Sequence, residues 1–341
     1  MARMKAAVFD GRGGIAIREV SRPELSGDYD VQCRLVWGTT CTGTDMHIWR
    51  GCFPYGSGYP TIAGHESAGR VEAIGAKVRH FKPGDLVTRV GTPAVDGLQS
   101  TWGGYAEWGV AKDHWAMAAD GLPEAEWSGS RVNQLVPGGI DPRAAPMFTT
   151  WREILSYMRR MNPRGVGRFL VLGGGGNGLA FAAMARLLGA SAVAMSGAPA
   201  SEAAARKVGV DIFADYHAED LADRLKDAGP FDGIVDSVGR TGQLDRVLRL
   251  AAPDARLGIY GGDDLGKTPV NPSLAPGGFS FYPGAYNESE THQTVCDWIR
   301  QGRLRPDAWY DMDSPWALAD LEEAFSALRA RRSAKALIRL E

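Results

Sequence analysis

The chain has 341 residues, a formal net charge of −2, 44% hydrophobic residues and 23% charged residues. That length suits one large or two ordinary domains, and the near-neutral balance excludes a basic footprint for nucleic acid or an anionic membrane surface. No apolar run reaches the roughly 18 residues of a spanning helix, and the first residues carry no leader pattern, so a cytoplasmic protein is the expectation. The four cysteines, Cys33, Cys41, Cys52 and Cys296, include no CxxC pair. They read as reduced thiols rather than as a zinc knuckle or a redox couple.

In chain order, residues 4–9 and 15–20 read as short strands, and residues 31–37 alternate apolar and polar side chains as a half-buried strand does. Strands are expected again at 71–75 and 85–90, across the turn Lys82-Pro-Gly-Asp, and as a pair within 104–118. Short strands between Gly and Pro turns up to residue 120 predict a Greek-key, barrel-like domain. The texture changes near residue 142. A helix is expected over 143–160, a compact apolar strand over 168–172 and an alanine-rich helix over 179–188. Strands at 192–195, 212–214, 233–236 and 256–260, with helices at 201–208 and 241–251, predict a parallel, doubly wound sheet. Helices over 290–301 and 317–331 and a strand over 334–340 close the chain. The expected division is a β-rich domain over 1–150, completed by about 286–341, and a nucleotide-type domain over 151–285.

Gly173-x-Gly175-x-x-Gly178 lies between an expected strand and an expected helix, with Gly176 and Asn177 inside it. The first glycine permits a tight turn, the second lets backbone approach a pyrophosphate, and the third lets helix pack on strand. This predicts a dinucleotide site. An acidic residue at the end of the second strand would bond the adenosine ribose and favour NAD. Ser196 stands there instead, with Lys207 on the following helix, so NADP is favoured over NAD, while a plain strand-capping serine that admits either cofactor stays open.

Taken together, Gly43-Thr-Asp-Met-His-Ile-Trp-Arg-Gly51, Gly64-His-Glu66, Phe81-Lys-Pro-Gly-Asp-Leu-Val87, Gly103-Gly-Tyr-Ala-Glu107, the glycine loop and Phe231-Asp-Gly-Ile-Val-Asp-Ser-Val-Gly239 resemble the medium-chain dehydrogenase/reductase superfamily of zinc alcohol and polyol dehydrogenases. The resemblance spans nearly the whole chain. It implies a GroES-like catalytic domain and a Rossmann domain, and a homodimer or homotetramer acting on a small molecule without nucleic acid or membrane. It further implies that Thr44 bonds the reacting oxygen and that His47 passes its proton to solvent. Val238, Asn287 and Lys335 would touch the cofactor, and Asn287 the substrate. Among the tryptophans, whose faces suit the C–H surface of a sugar, Trp49 beside the Thr44–His47 turn is the one expected at the substrate cleft.

The zinc ligands of that family do not align residue by residue. The first-cysteine position is Thr42, with Cys41 one place early, and a one-residue slip swings a side chain to the other face. The third-ligand position falls at Ala145 or Pro146, and residues 90–103, where a structural zinc lobe would lie, hold no cysteine. Catalytic zinc ordinarily has three protein ligands, so no metal site is expected, unless a local shift brings Cys41 beside His65 and Glu66. His65, oriented by Glu66 or Asp45, would then serve directly as donor or base. His80, His114, His217 and His292 read as solvated or structural. Trp37, Trp102, Trp108, Trp151 and Trp298 lie on apolar faces of elements and are expected to pack in the core.

The leading expectation is an NAD(P)-dependent oxidoreductase of a sugar, cyclitol or polyol-like alcohol and its ketone, without catalytic zinc. A zinc-independent reductase of an activated C=C bond or quinone and a catalytically silent dinucleotide sensor stay open beside it.

Overall fold

The computed structural model describes residues 2–53, 58–162, 165–264 and 267–341. The chain divides into two units, one of residues 1–149, 288–330 and 335–341, the other of residues 150–287 and 331–334.

The first unit is β-rich. Arg3–Phe9 and Ile15–Ser21 form an antiparallel hairpin that continues through Thr61–Ile62 to Gln99–Ser100. In the second sheet Asp30–Thr39 is the spine, flanked by Ser67–Ile74 and by the C-terminal strand Leu337–Arg339, with Trp108–Lys112 also paired to it. The clean alternation expected of residues 31–37 is not seen. Nearly all of Asp30–Thr39 is buried, because neighbouring elements cover both of its faces. The core beneath holds Phe9, Tyr105, Trp49 and Phe325 in edge and stacked contacts with centroids 5.7–6.3 Å apart.

Two expectations in this unit change. The strand pair within 104–118 is one strand followed by a helix, His114–Ala119. Asp113 stops the strand and accepts a hydrogen bond from the Ala116 N–H at 3.0 Å, as an N-cap does. The helix over 143–160 begins as a 3₁₀ turn, Pro142–Met147, before the α-helix Phe148–Met161, because Pro146 cannot donate into an α-helical ladder.

The second unit is a six-stranded parallel sheet. Its order runs Ile212–Asp215, Ala192–Gly197, Arg168–Leu172, Phe231–Asp236, Ala251–Ile259, Phe279–Tyr282. This is the doubly wound Rossmann order, with the strand before the glycine loop in the middle. Residues 241–251 are not the expected helix. Gly242 sits at φ +80, and the segment closes i→i+3 bonds (Gln243 to Arg240, Val247 to Leu244, Leu250 to Val247) instead of an α ladder. The edge strand Phe279–Tyr282 has no counterpart in the sequence reading. It is short, half exposed and follows two glycines. Among the described residues no helix is long and apolar enough to cross a membrane.

Candidate active site

The site of the first unit is built where Asp30–Thr39 ends. The chain turns through Thr40, Cys41, Thr42 and Gly43 into the short helix Thr44–Trp49. Asp45, fully buried, ties this turn down: its Oδ2 accepts from the Cys41 N–H at 2.8 Å and from the Tyr105 hydroxyl at 2.5 Å. Its Oδ1 lies 3.0 Å from His65 Nδ1. His65 and Glu66 follow Gly64, which sits at φ +100 with a hypothetical Cβ only 2.8 Å from the Tyr105 nitrogen. Only glycine lets the chain pass there. Lys335 arrives from the other end of the sequence. The C-terminal strand pairs with residues 37–39, and Ala336 exchanges bonds with Thr40, its N–H to Thr40 Oγ1 at 2.8 Å and its carbonyl from the Thr40 N–H at 3.1 Å. Lys335 Nζ then donates to the Thr40 carbonyl at 3.1 Å and to Glu66 Oε2.

The electrostatics follow from burial and pairing. Burial alone would raise the Asp45 carboxyl, but the facing His65 and the three hydrogen bonds it accepts hold it below its ordinary value. Asp45 is therefore an anion, and His65 Nδ1 must be the donor, which leaves Nε2 toward Glu66 Oε1 at 3.8 Å. Burial would push His65 down, yet Asp45 and its hydrogen bond, with Cys41 and Glu66, raise it well above the usual histidine value. Lys335 and Glu66 are 1% and 2% exposed at their side chains, and Glu66 overcomes the burial penalty to hold the ammonium charged. A buried pair of this kind is costly to break from one side.

The expectation that Cys41 turns away from the site is overturned. One ligand atom from each of Cys41, His65 and Glu66 lies within 4.8 Å of the others, and all three residues are buried. The slip argument fails because residue 41 is past the end of the strand. In the turn the extra residue is absorbed by Thr42, which is exposed, while Cys41 faces inward with Asp45 on its N–H. The donor set fits a zinc ion. It offers a thiol, an imidazole whose Nδ1–H is held by a carboxylate, and a carboxylate oxygen, all in a dry place. Ala145 and Pro146 are buried in the 3₁₀ turn and offer no ligand. Thr44 and His47 both sit half-buried on the helix Thr44–Trp49, one turn apart on one face.

Three expectations move. Trp49 does not face a cleft: it is 5% exposed, packs on Phe325 at 5.8 Å, and its indole N–H is buried without a hydrogen-bond partner. Trp102, expected in the core, is 42% exposed, with its ring 5.3 Å from the His65 ring. Lys335 is not at a surface where a cofactor phosphate would reach it, since its ammonium is buried on Glu66. Sequence reasoning passed over Tyr105 as a partner of Asp45, although it stands inside the quoted segment Gly103-Gly-Tyr-Ala-Glu107.

In the second unit the glycine loop runs from the strand Arg168–Leu172 into the helix Gly176–Leu187, with Gly175 as its N-cap. A Cβ on Gly178 would lie 1.8 Å from the Gly173 carbonyl oxygen, and one on Gly173 would lie 2.7 Å from Val238 Cγ2. Val238 thus abuts the loop, its N–H bonded to Asp236 Oδ1 at 2.8 Å. Asn177 occupies the first helical turn, Ser196 is buried at the carboxyl end of the next strand, and Lys207 is exposed at the end of Glu202–Lys207. The Asn287 N–H donates to Ser156 Oγ at 2.9 Å. Tyr216 follows the strand beside Ser196, with its N–H on the Gly197 carbonyl at 3.1 Å. Arg331 stands over its ring at 5.5 Å and donates to its hydroxyl at 3.3 Å.

A glycine-looped parallel sheet, in one chain with a β-rich unit carrying a buried Cys-His-Glu set, defines a two-unit dehydrogenase. Residues 27–122 match the family model of the alcohol dehydrogenase GroES-like domain, and residues 176–299 that of the zinc-binding dehydrogenases. An alcohol dehydrogenase of Cupriavidus necator is 28% identical over 318 residues, covering 81% of this chain and 85% of that protein. The L-galactonate-5-dehydrogenase of Escherichia coli is 26% identical over 299 residues, covering 84% and 82%. A structure from Sinorhizobium meliloti, described as a zinc-binding dehydrogenase and bound to NADP, superposes with a TM-score of 0.80 at 21% identity over 99% of this chain and 100% of that one. The chain belongs to the medium-chain dehydrogenase/reductase superfamily and is an oxidoreductase of the alcohol and polyol dehydrogenase kind.

Proposed function

We propose that this protein is an NAD(P)-dependent dehydrogenase that interconverts a secondary alcohol and its ketone on a polyol- or sugar-like molecule, with zinc held by Cys41, His65 and Glu66. The observation that carries the metal is the convergence of those three buried ligand atoms within 4.8 Å. When bound, zinc supplies Lewis acidity toward the substrate oxygen, and the nicotinamide supplies or accepts the hydride.

The chain's own residues do the rest. Asp45 holds Nδ1–H of His65, fixing the tautomer that leaves Nε2 as a ligand. Lys335 fixes Glu66 through Oε2 and leaves Oε1 on the side of His65. The Thr44 hydroxyl donates to the reacting oxygen, and His47, one turn along, passes the proton onward. The glycine loop would hold the pyrophosphate at the start of Gly176–Leu187, and Val238, which abuts the loop, and Asn287 would contact the cofactor as well. Ser196 without a carboxylate, and Arg331 on Tyr216 beyond the adjacent strand, favour the 2′-phosphate of NADP.

The test is metal analysis of the purified protein together with NADP reduction by a panel of alcohols and polyols. One zinc per chain, and a drop in kcat/KM on the order of 1000-fold in His65→Ala with loss of the metal, are expected. Full activity in metal-free protein would overturn the zinc reading. It would favour the alternative suggested by the Lys335–Glu66 bond, in which His65 donates to the substrate oxygen itself.

A further inference from the structure

Beside His65 the first unit holds a cavity of about 140 Å³, whose wall includes Gly64, Ser67, Arg89 and Trp102. Two of these are backbone outliers. Among the described residues, five non-glycines have φ in the left-handed region, and Arg89 at +54 and Trp102 at +65 are two of them. A bulky residue is rarely found there, because its Cβ crowds the following carbonyl. Such strain persists where the surroundings enforce it, and it gathers at functional sites.

The surroundings enforce Trp102. A Cβ on Gly91 would lie 1.6 Å from the Trp102 carbonyl oxygen, so glycine is needed for the two segments to cross, and the Thr92 N–H bonds the Gly103 carbonyl at 2.9 Å. The outcome is an indole 42% exposed, 5.3 Å from the His65 ring and 5.7 Å from Phe53. Strain spent on an exposed ring is not returned by core burial. Arg89 forms an ion pair with Glu288, the side chains being 14% and 4% exposed. The cavity thus meets Arg89, whose charge is already paired with Glu288. A ligand carboxylate placed there would face the buried Glu288 carboxylate, whereas a hydroxyl accepts from the guanidinium without adding charge.

We propose that Trp102 and Arg89 select the substrate as a neutral polyhydroxylated molecule, with its C–H face against the Trp102 indole and a hydroxyl accepting a hydrogen bond from Arg89. The inference rests on the reading of the neighbouring site as an alcohol dehydrogenase and names its specificity residues.

Two readouts separate the two ideas. Saturation-transfer NMR follows binding of xylitol and of gluconate to the purified holoenzyme, and NADP reduction follows turnover of the same compounds and of the panel of alcohols and polyols. The wild type should bind xylitol in preference to gluconate. Trp102→Gly should lose about 10-fold or more in xylitol affinity, while its thermal midpoint stays unchanged or rises, because glycine relieves the +65 backbone. Arg89→Lys, which keeps the charge opposite Glu288, should weaken xylitol without favouring gluconate. The proposal is overturned if the wild type binds no xylitol or prefers gluconate. It is also overturned if Trp102→Gly binds xylitol as the wild type does, or loses it only together with a lowered thermal midpoint. Xylitol binding of the expected pattern with no turnover of any alcohol would sink the dehydrogenase reading and leave this pocket assignment standing.

Discussion

At Gly178 a Cβ would lie 1.8 Å from the Gly173 carbonyl oxygen, so what shapes that loop is the absence of side chains. Around His65 the opposite holds: side chains from residues 41, 45, 66, 105 and 335 converge, and each is placed by another. The loop is a property of one short stretch and its two flanking elements. The cluster exists only because a turn, a strand start, a second segment and the C-terminal strand meet. A backbone-built site fails all at once, when a single atom is added. A site built from paired, buried side chains fails by degrees, because each partner carries part of the orientation and part of the charge.

The largest expected effect probes the loop. Gly178→Ala should abolish detectable NADPH binding by fluorescence titration and lower the thermal midpoint, while zinc content of any folded protein stays at the wild-type level. Equal NADPH affinity in that variant would break the contrast.

Asp45→Asn probes the cluster one step from the ligands. Metal affinity should fall by roughly 10–100-fold in a chelator competition, with NADPH affinity unaltered. An unchanged zinc affinity would mean that the Asp45 bond does not orient His65.

Arg331→Ala asks whether the second unit also uses a side-chain pair. The ratio of kcat/KM for NADPH over NADH should drop about 10-fold, the scale of one hydrogen bond to a charged group. An unaltered ratio would return cofactor choice to the glycine loop and Ser196.

The smallest effect compares His65 with another buried histidine of the same unit. His114, 4% exposed, has an Nδ1 without a hydrogen-bond partner, and burial pushes it from 6.5 to about 4, against the nearby Asp113 and with Arg131 and His80 adding to the fall. The fold therefore prefers it neutral. Between about pH 6.5 and pH 4 the unfolded chain takes up a proton that the folded chain refuses, so stability declines as pH falls through that window and levels off below it. Urea midpoints at pH 7 and pH 5 should show a smaller decline in His114→Phe than in the wild type. Equal declines would remove His114 as the cause.

Much of the second unit is legible because its signals are local. Arg168–Leu172 is expected and observed with the same bounds, and the motif from Gly173 to Gly178 states its own turn. The failure at 241–251 is local too, since Gly242 in a left-handed conformation stops an α-helix that the apolar spacing suggests. The tryptophans were exchanged for a different reason. Closeness in sequence to Thr44 and His47 points Trp49 to a cleft, but on a helix it lies on the face turned to Phe325. Apolar neighbours point Trp102 to the core, but its backbone stands at φ +65 and its ring is exposed.

By itself the sequence determined the two-part β then α/β architecture, the parallel sheet, the dinucleotide loop and the pair His65 and Glu66, because periodicity, glycine spacing and adjacent residues are written within a few positions. Only the tertiary structure decided that Cys41 joins them, that Lys335 neutralises Glu66 and that Trp102 stands over His65. Those placements depend on how an irregular turn absorbs one residue, on pairing between strands some 300 positions apart (Thr39 with Leu337), and on one backbone angle, none of which a linear spacing encodes.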